Sequence, residues 1–400
     1  MTSSCKNSSL PTVTNKKAMV NYLPDDVLRN NIFIRLPAKQ VALLRSLSKT
    51  WNLVLSDSSF IKSHLHHSLI HNNHTDIFAF YFAFLDNISF GTYFTLNAFR
   101  SPIYQEHSNY IKLPLSGCNY VIGSVNGLIC FWNLWNPCLS SSLITLSDSI
   151  CDRVCSYDFK FGYDPKTDDY KVVNLRYYYN WTQQMIDEWL PVKVYSVRKG
   201  CWESVTGKFP SHITKINGKK VLGDGYDGRV HWLCNVDDSN NKNIKETIVA
   251  FDMSDETLSE ISLPSDFVKC TRQRTNVLGV LFEKVCVISC VPGAGCEVWV
   301  MEDYGVATSW VKRVSYLFNC ANIIDLVGFS LRGNLLLKCC DDQLALYDPN
   351  TGYVNLLGTR MIDKRISYSA FVDYVGSLVW PVAPGKCVSK QFERLKIENE

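Results

Sequence analysis

The sequence predicts an α+β multidomain chain, with a small module of three short helices at the front and a much larger all-β domain behind it. Three observations predict it. Residues 23–65 carry apolar side chains at helical spacing. From Ile77 to about Pro384, short runs rich in Val, Ile, Leu, Phe and Tyr alternate with Gly, Asn, Asp and Pro turns, and long helical periodicity is absent. Between the two, His66–Thr75 is a polar stretch with the composition of a linker. The expected boundaries are a disordered 1–20 rich in Ser, Thr, Asn and Lys, the helical module at 21–68, a linker at 69–76, the β domain at 77–384 and a charged tail at 385–400.

The helical module comes first. Val41, Leu44, Leu47, Ser48 and Trp51 recur near three- and four-residue spacing and form one stripe of a helix. Pro37 sits just inside the start of that helix, where its missing N–H costs nothing. Leu28 and Ile32 make a similar pair in the segment before it. Helices spanning only about forty residues cannot enclose enough core to be stable alone, so this module requires another surface.

Several blocks of these residues, in order, resemble an F-box, the module that docks substrate receptors onto the Skp-type adaptor of a cullin ubiquitin ligase. The blocks are Leu23-Pro24-Asp25-Asp26-Val27-Leu28, Arg35-Leu36-Pro37-Ala38-Lys39, Leu44 through Trp51, and Phe60 with His64-Leu65. The resemblance implies adaptor contact through Leu23, Pro24, Leu28, Ile32, Leu36, Pro37, Val41, Leu44, Ser48 and Trp51, some of which must also hold the module's own core. Between Leu28 and Arg35 the chain carries one residue more than the F-box pattern. An inserted residue turns a helix by about 100°, so a bulge is expected at Asn30 or Asn31.

The β region repeats itself loosely. A Gly-led strand recurs at Asn126–Cys130, Gly228–Leu233 and Gly333–Leu337, with Glu283–Val287 in a similar slot. In several cases a partner strand follows that ends in an acidic or Pro turn: Trp135-Asn136-Pro137, Phe251-Asp252-Met253, Trp299–Glu302 and Tyr347-Asp348-Pro349. The spacing is near fifty residues or a multiple of it, the length of a kelch-type blade. Small antiparallel sheets stacked radially bury both faces, so a kelch-like β-propeller is expected, with a two-sheet β-sandwich as the alternative. The same region resembles the F-box-associated domain of plant F-box proteins, including the S-locus F-box-like group. The residues that carry this are Gly123–Cys130, Phe161–Pro165 with Asp168–Val173, Val194-Tyr195-Ser196 with Trp202, Gly228–Leu233, and Val298–Met301 with Tyr304-Gly305-Val306 and Ser309-Trp310.

Composition excludes several function classes. Hydrophobic residues make up 46% and charged residues 20%, ordinary for a globular chain. A net charge of +3, from dispersed basic residues, argues for neither nucleic acid nor an anionic membrane. The N-terminus lacks an apolar core and so is not a secretory signal. Ile77–Leu85 is too short to span a bilayer as a helix. A cytoplasmic or nuclear location is therefore expected, in which most of the 16 cysteines are reduced, buried, small hydrophobes.

The residues offer little bond chemistry. His64, His66, His67, His71 and His74 lie close together, but no cysteine completes a zinc pattern, and a solvated helix end is the simpler reading. Cys151/Cys155 and Cys286/Cys290 lack His partners. Asp164, Asp168 and Asp169 read as a hairpin turn whose Asx residue caps its own backbone. His231 reads as a packed core histidine beside Trp232, and Gly223-x-Gly225-x-x-Gly228 lacks the strand-to-helix context of a nucleotide loop. No catalytic residue, metal or cofactor is assigned. One segment suits partner contact: Tyr177, Tyr178, Tyr179 and Trp181, with Trp189 following, because interfaces favour aromatics as hot spots. The polar loop Asp237–Glu246 is a second candidate. The expected function is the substrate-recognition subunit of a Skp-cullin-F-box ubiquitin ligase, partnered by the adaptor, through it a cullin, and an unidentified protein substrate. The alternatives are a non-degradative F-box scaffold or a propeller enzyme.

Overall fold

The computed structural model describes residues 24–71, 76–84, 94–100, 111–112, 121–131, 133–139, 141–145, 155–217, 224–236, 245–264, 275–291, 295–316, 323–330, 333–339, 344–348, 351–357 and 366–380. The 1–20 stretch, Leu23, the tail beyond Trp380 and most of the Asp237–Glu246 loop lie outside these residues.

The front of the chain is helical: α1 (Asp25–Val27) runs into a π-helical turn (Leu28–Ile32) and a 3₁₀ turn (Phe33–Arg35), followed by α2 (Ala38–Arg45), α3 (Lys49–Leu55) and α4 (Ser58–His71). The expected three helices are thus an irregular opening plus three regular helices. The additional residue shows as the π turn, in which the Phe33 N–H reaches back to the Leu28 carbonyl. A π turn is how a helix absorbs one inserted residue without unwinding its neighbours.

Six antiparallel sheets follow among the described residues, in the radial order of a β-propeller rather than the two layers of a sandwich. The first contains β1 (Asp76–Phe84), β2 (Phe94–Arg100) and β3 (Ile111–Lys112). The second is β4 (Gly123–Val125), β5 (Leu128–Cys130), β6 (Asn133–Asn136) and β7 (Ser141–Thr145). The third is β8 (Ser156–Asp164), β9 (Asp169–Asn180), β10 (Met185–Trp189), β11 (Lys193–Ser196) and β12 (Cys201–Ser204). The fourth is β13 (Ile213–Ile216), β14 (Arg229–Val236), β15 (Lys245–Asp252) and β16 (Thr257–Ser262). The fifth is β17 (Thr275–Leu281), β18 (Lys284–Val291), β19 (Gly295–Met301) and β20 (Trp310–Tyr316). The sixth is β21 (Ile323–Phe329), β22 (Leu335–Cys339), β23 (Leu344–Tyr347) and β24 (Val354–Leu357). The last strand, β25 (Ile366–Tyr374), returns to pair with β1 and closes the ring.

Continuous apolar strands are explained by this stacking. Along β9, Tyr170 and Val172 pack toward the second blade, while Val173 and Leu175 pack toward the fourth. Along β14, Val230 and Trp232 face the third blade and Leu233 faces the fifth. Both faces of these inner strands are buried, so the polar/apolar alternation of a half-exposed sheet is lost along them. The Gly-led repeat marks the start of the second strand in the second, fourth and sixth blades, with Glu283 in the same slot of the fifth. The turn before it holds a left-handed residue: Asn126 and Gly127, Asp168, Gly228, Phe282 and Glu283, or Gly333. The Asn or Asp that ends the third strand caps the next turn. Asn136 Oδ1 accepts from the Cys138 N–H, and Asp252 Oδ1 accepts from the Ser254 and Asp255 N–H groups.

In an antiparallel meander, turns between strands one and two and between strands three and four lie at one end, and those between two and three at the other. The helical module sits at the first end. Val41, Leu55 and Phe60 share one apolar cluster with Leu139, from a three-to-four turn, and Leu378, from the segment after β25. Lys62 on α4 pairs with Asp168 in the β8–β9 turn at 2.8 Å. The segment 375–380 is held from below as well: the Asn136 amide donates to the Ser377 and Val379 carbonyls at 3.1 and 2.7 Å.

Candidate docking surfaces

The helical module is pinned by polar groups at its ends. Ser48 caps α3, its Oγ accepting from the Trp51 N–H at 3.1 Å. Asp57 caps α4 by accepting from the Ser59 and Phe60 N–H groups and also pairs with Arg29 at 2.9 Å. Hydrogen bonds from Ser59 and Phe60 hold the Asp57 pKa below the carboxylate norm, with Arg29 adding to them. His64 is buried, and its Nε2 lies 2.8 Å from the Leu36 carbonyl. Burial pushes its pKa down, so the neutral ring donates that bond. The Arg45 guanidinium is buried against the Leu55 carbonyl, and burial lowers its pKa to about 10.

Of the residues assigned to adaptor contact, Pro24, Ile32, Pro37 and Ser48 are exposed. Leu28, Leu36, Leu44 and Trp51 are half-buried against the module's core, Trp51 with its ring 4.6 Å from Phe33. Val41 is 0% exposed, so it serves the core shared with the propeller rather than an outer contact. Pro37 lies one position earlier than expected, its carbonyl accepting from the Gln40 and Val41 N–H groups at the start of α2. The outward face also carries leucines that the sequence stripe did not single out for contact. Leu43, Leu47 and Leu53 are 62%, 72% and 77% exposed. Leu43 and Leu53 fall off the core stripe, and a surplus of leucine beyond that stripe was the available signal.

The aromatic segment forms a long hairpin. β10 and β11 lie end to end along one edge of β9, while β8 pairs along the other as far as Tyr177. Residues 178–188 therefore project beyond β8 and β12. Tyr177, Tyr179 and Trp189 are half-buried against the core between the third and fourth blades. The Trp189 ring lies 4.1 Å from Phe209, and its Nε1 donates to the Ile213 carbonyl at 3.1 Å. Burial raises the Tyr177 pKa to about 12. Tyr178 is half-buried on the opposite face of β9. Trp181 stands apart, 81% exposed at the hairpin tip, touching only Tyr179 edge-on among the described rings. Asn180 Oδ1 accepts from the Thr182 and Gln183 N–H groups, which fixes the tip. This second-to-third-strand turn lies at the end of the ring opposite the helices, as do the flanks of the Asp237–Glu246 loop.

The remaining motifs resolve into structure. Asp164 accepts from the Lys166 and Thr167 N–H groups and from the Thr167 and Ser254 hydroxyls, the expected Asx turn extended to the next blade. His231 is buried, its Nδ1 2.8 Å from Asp224 and its Nε2 2.9 Å from the Tyr304 hydroxyl, joining the fourth and fifth blades. Gly225 and Gly228 turn through left-handed φ so that the chain can press on the third blade; a Cβ on Gly225 would lie 2.5 Å from the Phe161 carbonyl oxygen. Cys130, Cys234 and Cys286 are buried thiols, and burial pushes the latter two well above their ordinary pKa. Cys290 and Cys296 depart from the expected reduced state. They oppose each other across β18 and β19 and are joined as a disulfide. Among the described residues, no three or more His, Cys, Asp or Glu side chains converge as metal ligands do, and no helix is long and apolar enough to cross a membrane.

Comparison with known proteins agrees with this architecture. Residues 80–339 match the F-box associated beta propeller domain family. The F-box/kelch-repeat protein At3g23880 of Arabidopsis thaliana is 30% identical over 307 residues, covering 72% of this chain and 78% of that protein. The F-box protein CPR1 of the same plant is 28% identical over 385 residues, covering 89% of this chain and 88% of its own length. With a helical module seated on a ring of strands and relatives that share both parts, this chain belongs to the F-box proteins that carry an F-box associated β-propeller domain.

Proposed function

We propose that the chain is the substrate-recognition subunit of a Skp-cullin-F-box ubiquitin ligase. Its F-box helices take a Skp-type adaptor, and through it a cullin, while the far end of the propeller holds a protein substrate. One observation carries the reading: the exposed leucines of α2 and α3 and the exposed Trp181 lie at opposite ends of one connected body. Apolar side chains on short helices suit a helix-in-groove contact. The chain then supplies proximity and orientation, and bond chemistry belongs to the partners. Residence in the cytoplasm or nucleus is part of the proposal; the buried thiols Cys130, Cys234 and Cys286 fit it, and the Cys290–Cys296 disulfide does not.

The test uses the full chain co-purified with a Skp-type adaptor. Replacing Leu43 and Leu47 together by Ser is expected to weaken capture by about tenfold or more, the loss of two apolar contacts of about 1–3 kcal/mol each. Capture equal to that of the parent chain would rule out this face as the adaptor surface.

A further inference from the structure

We propose that Cys290 and Cys296, at the end of the fifth blade away from the helices, form a reversible thiol–disulfide switch that exchanges with a small cellular monothiol of the glutathione class. This goes beyond the ligase reading and rests on it only for a reducing compartment, where a disulfide, when it forms, is usually transient and regulatory rather than a fixed staple.

The strand ladder makes the pair. Cys290 on β18 lies directly opposite Cys296 on β19, one rung in from Val291 and Gly295 at the turn. Their Cα atoms are 4.0 Å apart and their sulfurs are bonded. Thr275 and Tyr316 extend the same rung to β17 and β20, so it crosses the whole blade. Directly opposed side chains stand on one face of a sheet, so the ladder holds the two thiols within bonding reach even when the bond is open. Closure is therefore intramolecular, at high effective concentration. Among the described residues, no other two cysteines oppose each other in a ladder. Cys286 shares the face but lies two rows in, about 13 Å along β18, and is no alternative partner.

The fold does not depend on the bond. Cys130, Cys138, Cys155, Cys201, Cys234 and Cys286 are free thiols, unlike the cysteines of a disulfide-framed domain. The seam that holds the pair is already closed by apolar packing, since Ile288 and Val298 of the fifth blade share one cluster with Leu335 and Leu337 of the sixth. The two sulfurs differ in access. Cys296 is 5% exposed within this seam, and Cys290 is half-buried at its rim. An incoming thiolate therefore attacks Cys290 Sγ. A mixed disulfide forms there, and the bond to Cys296 breaks with its electron pair on the Cys296 sulfur. A second monothiol then attacks the first, and Cys290 leaves as a thiolate. Two monothiols are thereby oxidised to one small disulfide, the protein gains two electrons, and the two protons that the monothiols lose end on the protein sulfurs. The same steps in reverse close the bond. Closed, it clamps β18 to β19 beside the sixth blade. Open, two non-bonded sulfurs need more room in a packed seam, so the ends of both strands loosen. The turn joining these strands is a second-to-third-strand turn, at the same end of the ring as Trp181. The switch thus acts on the end to which the ligase reading gives the substrate.

The experiment uses the full chain, alone and with a Skp-type adaptor. Reduced and oxidised glutathione are mixed at stepped ratios. At each step free thiols are alkylated, the state of the pair is read by peptide mass, and amide hydrogen exchange is followed. The pair is expected to be open with reduced glutathione in large excess, to close as the oxidised form is raised, and to retrace the same curve on return. Closure is expected to slow exchange in β18 and β19 about tenfold and to leave β5 and β9 unchanged. Cys290→Ser should keep the parent's protection in β5 and β9, which reports that it folds, and should exchange in β18 and β19 at the open rate at every ratio. Cys296→Ala is expected to behave alike. A pair that stays bonded in reduced glutathione alone is a fixed staple, and one that stays open in excess oxidised glutathione is no pair; either result would overturn the proposal. So would equal exchange in the open and closed parent chain. Failure to capture the adaptor, with the redox curve intact, would instead strike the ligase reading and leave the switch standing.

Discussion

Asp164 shows how a single side chain joins two blades. Burial alone would raise its pKa, but the Ser254 and Thr167 hydroxyls and the Lys171 ammonium, 3.2 Å away, outweigh burial and hold the carboxyl at about 2. Because the folded value is depressed below the unfolded value of about 3.9, its stabilisation is complete above roughly pH 4 and disappears as pH falls through 2. The size is on the order of 2 kcal/mol. Asp164→Asn should therefore lose about that much at pH 7 by urea unfolding, with the gap to the parent narrowing below pH 4. A gap that stays constant with pH would show that the charge contributes nothing. Lys171 also donates to the Met253 carbonyl and contacts Glu256, so the ammonium keeps partners in the variant.

At the scale of elements, the β9–β10 hairpin separates packing from contact within one run of aromatics. Trp189→Ala should cost about 3–5 kcal/mol, since it removes a ring packed on Phe209 and an N–H bonded to Ile213. Trp181→Ala should stay within about 0.5 kcal/mol of the parent, because its ring is 81% exposed. Chemical denaturation of both variants checks this, and equal losses would mean that the tip is structural. Much of this was legible in the sequence. The left-handed residues before the second strands of the second to sixth blades, and the Asn or Asp that ends or follows the third strand in the second, fourth and sixth blades, are local signals of the repeat. The π turn at Leu28–Ile32 was legible as one residue too many. The burial of Val41 was not: its partners Leu139 and Leu378 lie far along the chain, and the helical stripe does not say which neighbour covers it.

At the scale of the whole molecule, ring closure and module seating use the same residues. The segment 375–380 is clamped between the second blade and α2. A Cβ on Gly127 would lie 2.3 Å from Ser377 Cβ, and one on Gly376 would lie 3.7 Å from Ala38 Cβ. Leu378 is 0% exposed in the cluster that holds Phe33, Val41 and Phe60. Leu378→Ala should cost about 2–5 kcal/mol. Hydrogen exchange should speed up together in α2, α4 and β25, because one cavity loosens all three. Acceleration confined to β25 would mean that the helices do not depend on the closure.

The pairing of β25 with β1 has a consequence for synthesis. A ribosome releases the F-box helices well before the strand that locks the circle. A chain cut short before Ile366 leaves β1 with a bare edge and withholds Leu378 from the helices. Premature termination thus leaves the helical module without part of its seat, so well-seated helices are available only to chains read through to their closing strand.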